Sequence, residues 1–352
     1  MATLPKRPLM PHRFPTVAKR RNKSIDVRGA ASGIFALLLV GFALLSLPNM
    51  LQNEILVAAE EPAKPPFPVT VDPINETISE SAEVDALFGE TSETLEAAAS
   101  VAGSAVAWLA NLVTEIPGYS QIAGSDIAFV DIKSGYRQEE VARAFGLALG
   151  WTKAEQTVFL EQLQNSDPML AEGEAVPGIY MVSSAANASY VQELLSDRFE
   201  RDVASRYSED SERVLPLEDV LTIASMLQRE TRDPSEMRLI SGIIWNRLWS
   251  GMNLQIDSTL QYAKATKGGT KSWWPVPIPD DKYIKSEYNT YQNKGLPPGP
   301  IASPSTEAIL AALNPKKTDC IFYFHDRRGG MHCSPDYEGH VKMLRKYYGQ
   351  GK

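Results

Sequence analysis

The chain has 352 residues, 43% hydrophobic and 22% charged, an ordinary globular composition with room for one large domain or two modest ones. Its net charge of −8 hides a polarity: residues 1–30 hold eight Lys/Arg against the single acid Asp26, which leaves about −15 on the remainder. Phosphate backbones need clustered Lys/Arg that this remainder lacks, so nucleic acid is excluded as an expected partner.

In chain order, residues 1–28 form a basic tail, and residues 29–53 carry no charge and include the apolar run Ile34 to Leu47. That length is enough for one membrane crossing. Basic residues before it and acids from Glu54 onward predict a cytoplasmic tail and an exported remainder. A cleavable signal peptide is the competing reading, with Leu56 to Ala59 as its small-residue site.

Residues 54–96 hold eleven acids against Lys64 alone, with prolines at 62, 65, 66, 68 and 73, which predicts an extended, solvated spacer. Ala97 to Thr114 is uncharged and places Trp108, Leu109, Leu112 and Val113 at helical spacing, as an amphipathic helix does.

The alternation Ile127, Phe129, Asp131 predicts a strand, Ser134 and Gly135 a turn, and Gln138 to Leu149 a helix with Val141, Ala142, Phe145 and Leu149 on one face. A small βα element around Gly178 to Met181 and a helix from Ala188 to Tyr207 complete a small α+β module.

Pro216 with Glu218 and Asp219 marks the start of a further helix. Its apolar stripe, Val220, Ile223, Ala224 and Leu227, continues onto Glu230 and Thr231, while Gln228 and Arg229 point elsewhere. Burial disfavours the charged form of a carboxyl and can raise its pKa by ~3 to 5 units. Glu230 is therefore a candidate general acid. The bland alternative is a Glu that frays from the helix end or pairs with Arg229, Arg232 or Arg238.

Asp233, Pro234 and Glu236 read as N-cap, first-turn proline and capping-box partner of the next helix, whose stripe is Met237, Ile240, Ile244 and Leu248 and whose C-cap is Gly251. The tight joint between the two helices predicts a hairpin with Glu230 at the mouth of a cleft.

Cys320 and Cys333 flank a predicted hairpin, Ile321 to Met331, at positions that do not directly oppose, which favours two separate buried thiols over a bridge. The four histidines, His12, His325, His332 and His340, show no tight ligand spacing with these cysteines, so no metal is expected. No glycine-rich phosphate loop follows a strand, and no cofactor is expected.

Several separated motifs, in order and spacing, resemble the YceG-like endolytic murein transglycosylases: Leu221 to Thr231 (LTIASMLQRET), Asn246-Arg247-Leu248, Leu254 to Thr259 (LQIDST), Tyr288 to Tyr291 (YNTY), Gly295 to Ile301 (GLPPGPI) and Ala311 to Pro315 (AALNP). The resemblance covers Leu215 to His340. A fainter one, through Val130 to Gly135 and Pro177 to Tyr180, likens the preceding module to the family's LysM-like segment.

Together these readings give an α+β protein with a single-pass anchor, a spacer and helix over 54–120, a LysM-like module over 121–210 and a mixed α+β catalytic domain over 211–352, the last two named from the resemblance. The resemblance also implies that Glu230 is catalytic. The family often carries another Glu two residues earlier, where this chain has Gln228, which removes one competitor for that role.

The implied reaction cleaves the bond between N-acetylmuramic acid and N-acetylglucosamine in peptidoglycan glycan strands. Glu230 protonates the leaving oxygen and then accepts the proton of the muramoyl C6 hydroxyl, closing a 1,6-anhydro ring. The implied setting is the plasma membrane beside peptidoglycan synthases, where such cleavage ends strand elongation.

Two rivals stand: a hydrolytic muramidase using Glu230 with Asp257, and a non-catalytic glycan-binding scaffold. Asn246, Gln255, Asp257, Thr259 and Asn289 are polar positions that either bind sugar or fasten loops. Tyr288 and Tyr291 either stack on sugar or line the cleft wall. Trp273 and Trp274, on a proline-rich insertion, either grip glycan or pack their loop. His332 and His340 are expected to be structural.

Overall fold

The computed structural model describes residues 64–93, 127–166, 172–268 and 271–349. Among them no helix is long and apolar enough to cross a membrane. The tail at 1–28, the crossing expected at 29–53 and the helix expected over Ala97 to Thr114 lie outside the described residues.

Residues 64–93 are not the extended, solvated spacer that their acids and prolines predict. A short hairpin, β1 (Val71–Asp72) with β2 (Thr77–Ile78), leads into α1 (Ala82–Glu93). Phe67, Val71, Val84 and Phe88 are buried in the same core as the later helices. Each such burial contributes roughly 1.5–3 kcal/mol, enough to bind an otherwise polar strap. The backbone follows: Phe67 N–H donates to Arg206 O (3.0 Å), Thr70 N–H to Leu313 O (3.1 Å), and Asn314 Nδ2 to Pro68 O (2.8 Å).

The next module has a core of its own. Strand β3 (Ile127–Ile132) pairs antiparallel with β4 (Gly178–Ser183), Ile127 opposite Ser183 and Ile132 opposite Gly178. Between them run α2 (Gln138–Leu149) and α3 (Lys153–Ser166), and α4 (Ala188–Asp202) follows. The expected strand, turn and first helix are present, and Gly150, in the left-handed region at φ 67°, closes α2. The helix expected to reach Tyr207 stops at Asp202, and Asn187 caps its start by accepting from Tyr190 N–H.

After the short exposed helix α5 (Glu209–Val214), the larger core is built on α6 (Leu217–Glu230), α7 (Pro234–Trp249), α8 (Asp257–Thr266) and α9 (Thr306–Leu313). Helix α6 is buried continuously from Val220 to Leu227, packed against α7 and α9. Asp233 caps α7 by accepting from Ser235 and Glu236 N–H (2.8 and 3.1 Å). The expected capping box does not close: Asp233 N–H donates to Thr231 Oγ1, and the Glu236 carboxylate instead accepts from the Thr231 hydroxyl at 2.7 Å. Gly242 is required inside α7, because a Cβ there would lie 2.2 Å from the Lys316 carbonyl oxygen.

A hairpin of β5 (Phe322–His325) and β6 (Met331–Ser334) and the helix α10 (Tyr337–Tyr348) complete the described fold. Cys320 and Cys333 are joined in a disulfide, with their Cα atoms 5.7 Å apart, which corrects the expectation of two separate thiols. Cys333 faces Tyr323 in the register, but Cys320 lies just before β5, where Ile321 N–H still bonds to Ser334 O and keeps the segment within reach of β6. The bridge thus needs no directly opposed pair, only Cα atoms within about 4.4–6.8 Å.

Candidate active site

Glu230 is the last residue of α6 and Thr231 its C-cap. The residue is half-buried, and both carboxylate oxygens are held: Oε1 accepts from Ser258 Oγ at 3.0 Å and Oε2 from the Tyr323 hydroxyl at 3.1 Å. Burial raises its pKa above the usual carboxylate range, and the charge of Asp257 adds to that, while the Ser258 and Tyr323 hydroxyls and the Ser258 backbone N–H oppose it. The side chain neither frays outward nor pairs with Arg229, Arg232 or Arg238. Arg229 lies over the Trp274 ring at 3.7 Å and donates to Gly135 O, and Arg238 pairs with Asp85 at 2.7 Å.

The carboxyl sits against the N-terminus of α8, whose N-cap residue Ile256 has no side-chain acceptor to offer. Glu230 supplies that acceptor from another element. A glutamine there would keep one oxygen for the same hydrogen bond while losing the proton.

Asp257, the first residue of α8, is exposed and accepts from the Tyr291 hydroxyl at 2.7 Å. Gln255 is exposed beside it and adopts φ 52°, a left-handed conformation that a non-glycine residue takes only where its surroundings impose it.

The other polar positions serve loops. Asn246 Nδ2 donates to the carbonyls of Thr318 (2.7 Å) and Cys320 (3.0 Å). Thr259 Oγ1 donates to Ile256 O and meets Thr290 Oγ1 at 2.8 Å. Asn289, fully buried, donates to Lys282 and Ile284 carbonyls. The Tyr288 ring packs on Tyr262, with centroids 4.7 Å apart. Trp274 donates from Nε1 to Glu140, which ties the insertion to α2, and Trp273 stays exposed at 37%.

The motif from Gly295 to Ile301 docks on α6 itself, because Ile301 N–H donates to Ser225 Oγ, a fully buried hydroxyl, at 3.0 Å. The following turn bonds to the β3–α2 turn: Gly135 N–H to Ser303 O and Ser303 N–H to Tyr136 O, both 2.7 Å.

Beside this junction lies a buried carboxyl that the sequence did not single out. Glu172 accepts from Gln138 N–H (2.7 Å) and the Tyr262 hydroxyl (2.9 Å) and lies 3.8 Å from Arg137. Arg137, 1% exposed, pairs with Glu139 and packs over the Tyr262 ring at 4.2 Å. Burial, with the nearby Glu139 charge, raises Glu172 to about 8 against the opposing pull of Arg137.

Ser258 and Tyr323, which hold Glu230, were not singled out from sequence. They lie 28 and 93 residues away from it, beyond any periodicity. The histidines take separate partners: His325 meets Glu236, His332 meets Asp326 and stacks on Tyr347, and His340 lies against Phe322. Among the described residues no group of three or more His, Cys, Asp or Glu has metal-holding geometry. An open depression lined by Tyr207, Glu212 and Leu217 lies at the other end of α6, about 20 Å of helix from Glu230, and takes no part in this site.

The fold and site define a mixed α+β protein with a half-buried, hydroxyl-held carboxyl at a helix end. The chain belongs to the YceG-like family, whose sequence profile matches residues 102–346. A protein of Streptococcus pneumoniae (serotype 2, strain D39) named endolytic murein transglycosylase is 27% identical over 248 residues, 63% of this chain and 45% of that protein. A Bacillus subtilis (strain 168) protein of the same name is 34% identical over 140 residues, 40% of this chain and 37% of that one. The chain thus spans less than half the length of these relatives. The 2.6 Å crystal structure of a YceG-like protein from Listeria monocytogenes shares the fold, with TM-score 0.53 and 22% identity over 64% of this chain and 81% of that one.

Proposed function

We propose that this chain is an endolytic lytic transglycosylase that cuts peptidoglycan glycan strands between N-acetylmuramic acid and N-acetylglucosamine, with Glu230 as acid and then base. The observation that carries the reading is the half-buried Glu230 carboxyl, held by the Ser258 and Tyr323 hydroxyls and the Ser258 backbone N–H, all neutral donors, in a chain whose relatives are named endolytic murein transglycosylases. Protonated Glu230 gives its proton to the glycosidic oxygen as the C1–O bond breaks. The carboxylate left behind is stabilised by Ser258 and Tyr323, and the nearby Asp257 charge favours the positive charge developing at C1. Glu230 then takes the C6 hydroxyl proton as that oxygen bonds to C1, which closes the anhydro ring and restores the acid.

Asp257 and Tyr291, near the carboxyl, and Gln255, just before α8, are the proposed sugar contacts, supported by the exposure of Gln255 and Asp257 and by the Tyr291–Asp257 hydrogen bond. Residues 121–210 are a LysM-like module that steers strands toward Glu230. Its separate core and its backbone bonds to the Ser303 turn support that role. Residues 29–53 anchor the chain in the plasma membrane with its catalytic domain outside, near peptidoglycan synthases, a placement supported by the uncharged stretch and the basic residues before it.

Digestion of purified peptidoglycan with mass spectrometry of the products tests the reaction. The expected product carries anhydro ends, one water or about 18 Da lighter than reducing ends. Reducing ends would replace this account with hydrolysis by Glu230 and Asp257, and uncut strands would replace it with a binding scaffold.

A further inference from the structure

We propose that Tyr323 is the positioning residue of the Glu230 carboxyl and that the Cys320–Cys333 disulfide keeps it in place. The proposal rests on the reading of Glu230 as the proton carrier.

Tyr323 reaches Glu230 from β5, a strand of four residues in a two-stranded hairpin. Such a hairpin is marginal by itself and needs support to hold a side chain to a fraction of an ångström. Support comes from two directions. On one side α7 grips the approach to β5: Asn246 bonds the carbonyls of Thr318 and Cys320, and Arg247 Nε donates to Ile321 O at 2.7 Å. On the other side Cys333, directly opposite Tyr323 in the register, is joined covalently to Cys320. The disulfide therefore ties the β6 residue of the tyrosine's rung to the segment that leads into β5. Ile321 N–H bonded to Ser334 O at 2.9 Å extends the ladder past that rung.

The hydroxyl fixes the carboxyl plane together with Ser258, and no cation among the described residues is bonded to either oxygen. Burial raises Tyr323 well above its ordinary value, so it stays a donor across the working pH range. The titratable and charged groups coupled to Glu230 are Asp257 and Tyr323 and, more weakly, Arg229 on its own helix, Arg247 on α7 and Tyr291 beside Asp257. Of these only Tyr323 donates a hydrogen bond to it.

The test measures glycan-strand cleavage across pH for the full chain, for Tyr323→Phe, for the pair Cys320→Ser/Cys333→Ser, and for all three changes together. Tyr323→Phe keeps the ring and removes only the donor. We expect kcat to fall about tenfold with KM unchanged, the scale of one hydrogen bond lost from a charged group. Loss of a donor to the ionised form raises the Glu230 pKa, so the alkaline limb of activity moves up by about half a unit to one unit. The serine pair should show the same loss and the same limb shift, and the triple variant should lose no more than either, because all act on one contact. An unmoved limb in Tyr323→Phe overturns the positioning role. A serine pair with native rate and limb, or with a loss that adds to that of Tyr323→Phe, overturns the role of the disulfide. Glu230→Gln separates this from its premise: if that variant still cleaves, the reading of Glu230 fails, whereas a dead Glu230→Gln beside an unchanged Tyr323→Phe sinks the present proposal alone.

Discussion

Glu230 and Glu172 are both enclosed carboxyls raised by burial, and their surroundings differ in kind. Glu172 has Arg137 at 3.8 Å, a backbone N–H and a tyrosine hydroxyl, all inside the junction between the β3–β4 module and α8. Glu230 has two hydroxyls and no bonded cation, at the end of a helix beside exposed Gln255 and Asp257. The guanidinium, the Tyr262 hydroxyl and the Gln138 N–H tie Glu172 into one buried polar cluster, which commits it to structure. Neutral donors hold a carboxyl in position without fixing its proton, which is what acid–base exchange needs.

That contrast can be broken from either side. The largest effect is expected from Glu230→Gln, which should cut glycan cleavage by about 10²- to 10⁴-fold. Its thermal melting should stay near that of the native chain, because glutamine retains an acceptor for Ser258. The corresponding cut in the other region should act on stability instead. Arg137→Ala removes a 1% exposed guanidinium and leaves the Thr266 hydroxyl and Glu139 without their partner, a loss of about 1–3 kcal/mol that denaturant melts would record.

A smaller effect concerns pH. The Glu172 pKa is raised to about 8 in the folded chain, above its ordinary 4.5, so the native state holds a proton that the unfolded chain has released. Its contribution to stability is therefore greatest below about pH 4.5 and is lost as pH rises toward 8, with a slope of at most about 1.4 kcal/mol per pH unit. Glu172→Gln should remove that slope. Parallel slopes for native and variant protein in urea melts at several pH values would refute it. The smallest change is expected from Asp257→Asn, which should leave the product anhydro-ended and lower the rate severalfold, since the proposed chemistry needs one carboxylate only. A switch in product type or complete loss would point to hydrolysis.

The helical hairpin around Glu230 was legible because its punctuation is local: acids at 218 and 219, Asp233 and Pro234 at the joint, Gly251 after the last turn. The span of α2 was equally readable from Val141, Ala142 and Phe145. Helix α3 was missed because Phe159 and Leu163 are its deeply buried side chains while Val158 is exposed, which leaves little periodicity to see. The strap at 64–93 was misread because four apolar anchors were outvoted by acids and prolines. Glu230 itself could be found as the continuation of a stripe, but Ser258, Tyr323, Glu172 and the disulfide depend on contacts across the fold that no local pattern encodes.

Infrared difference spectra between native and Glu230→Gln protein, recorded as pH is raised from about 4 to 9, would titrate the carboxyl directly. A protonated-carboxyl band persisting above the ordinary glutamate range, near 4.5, is the result predicted here. A band already gone at or below that range would mean that Glu230 has no proton to give under working conditions, and would contradict the account.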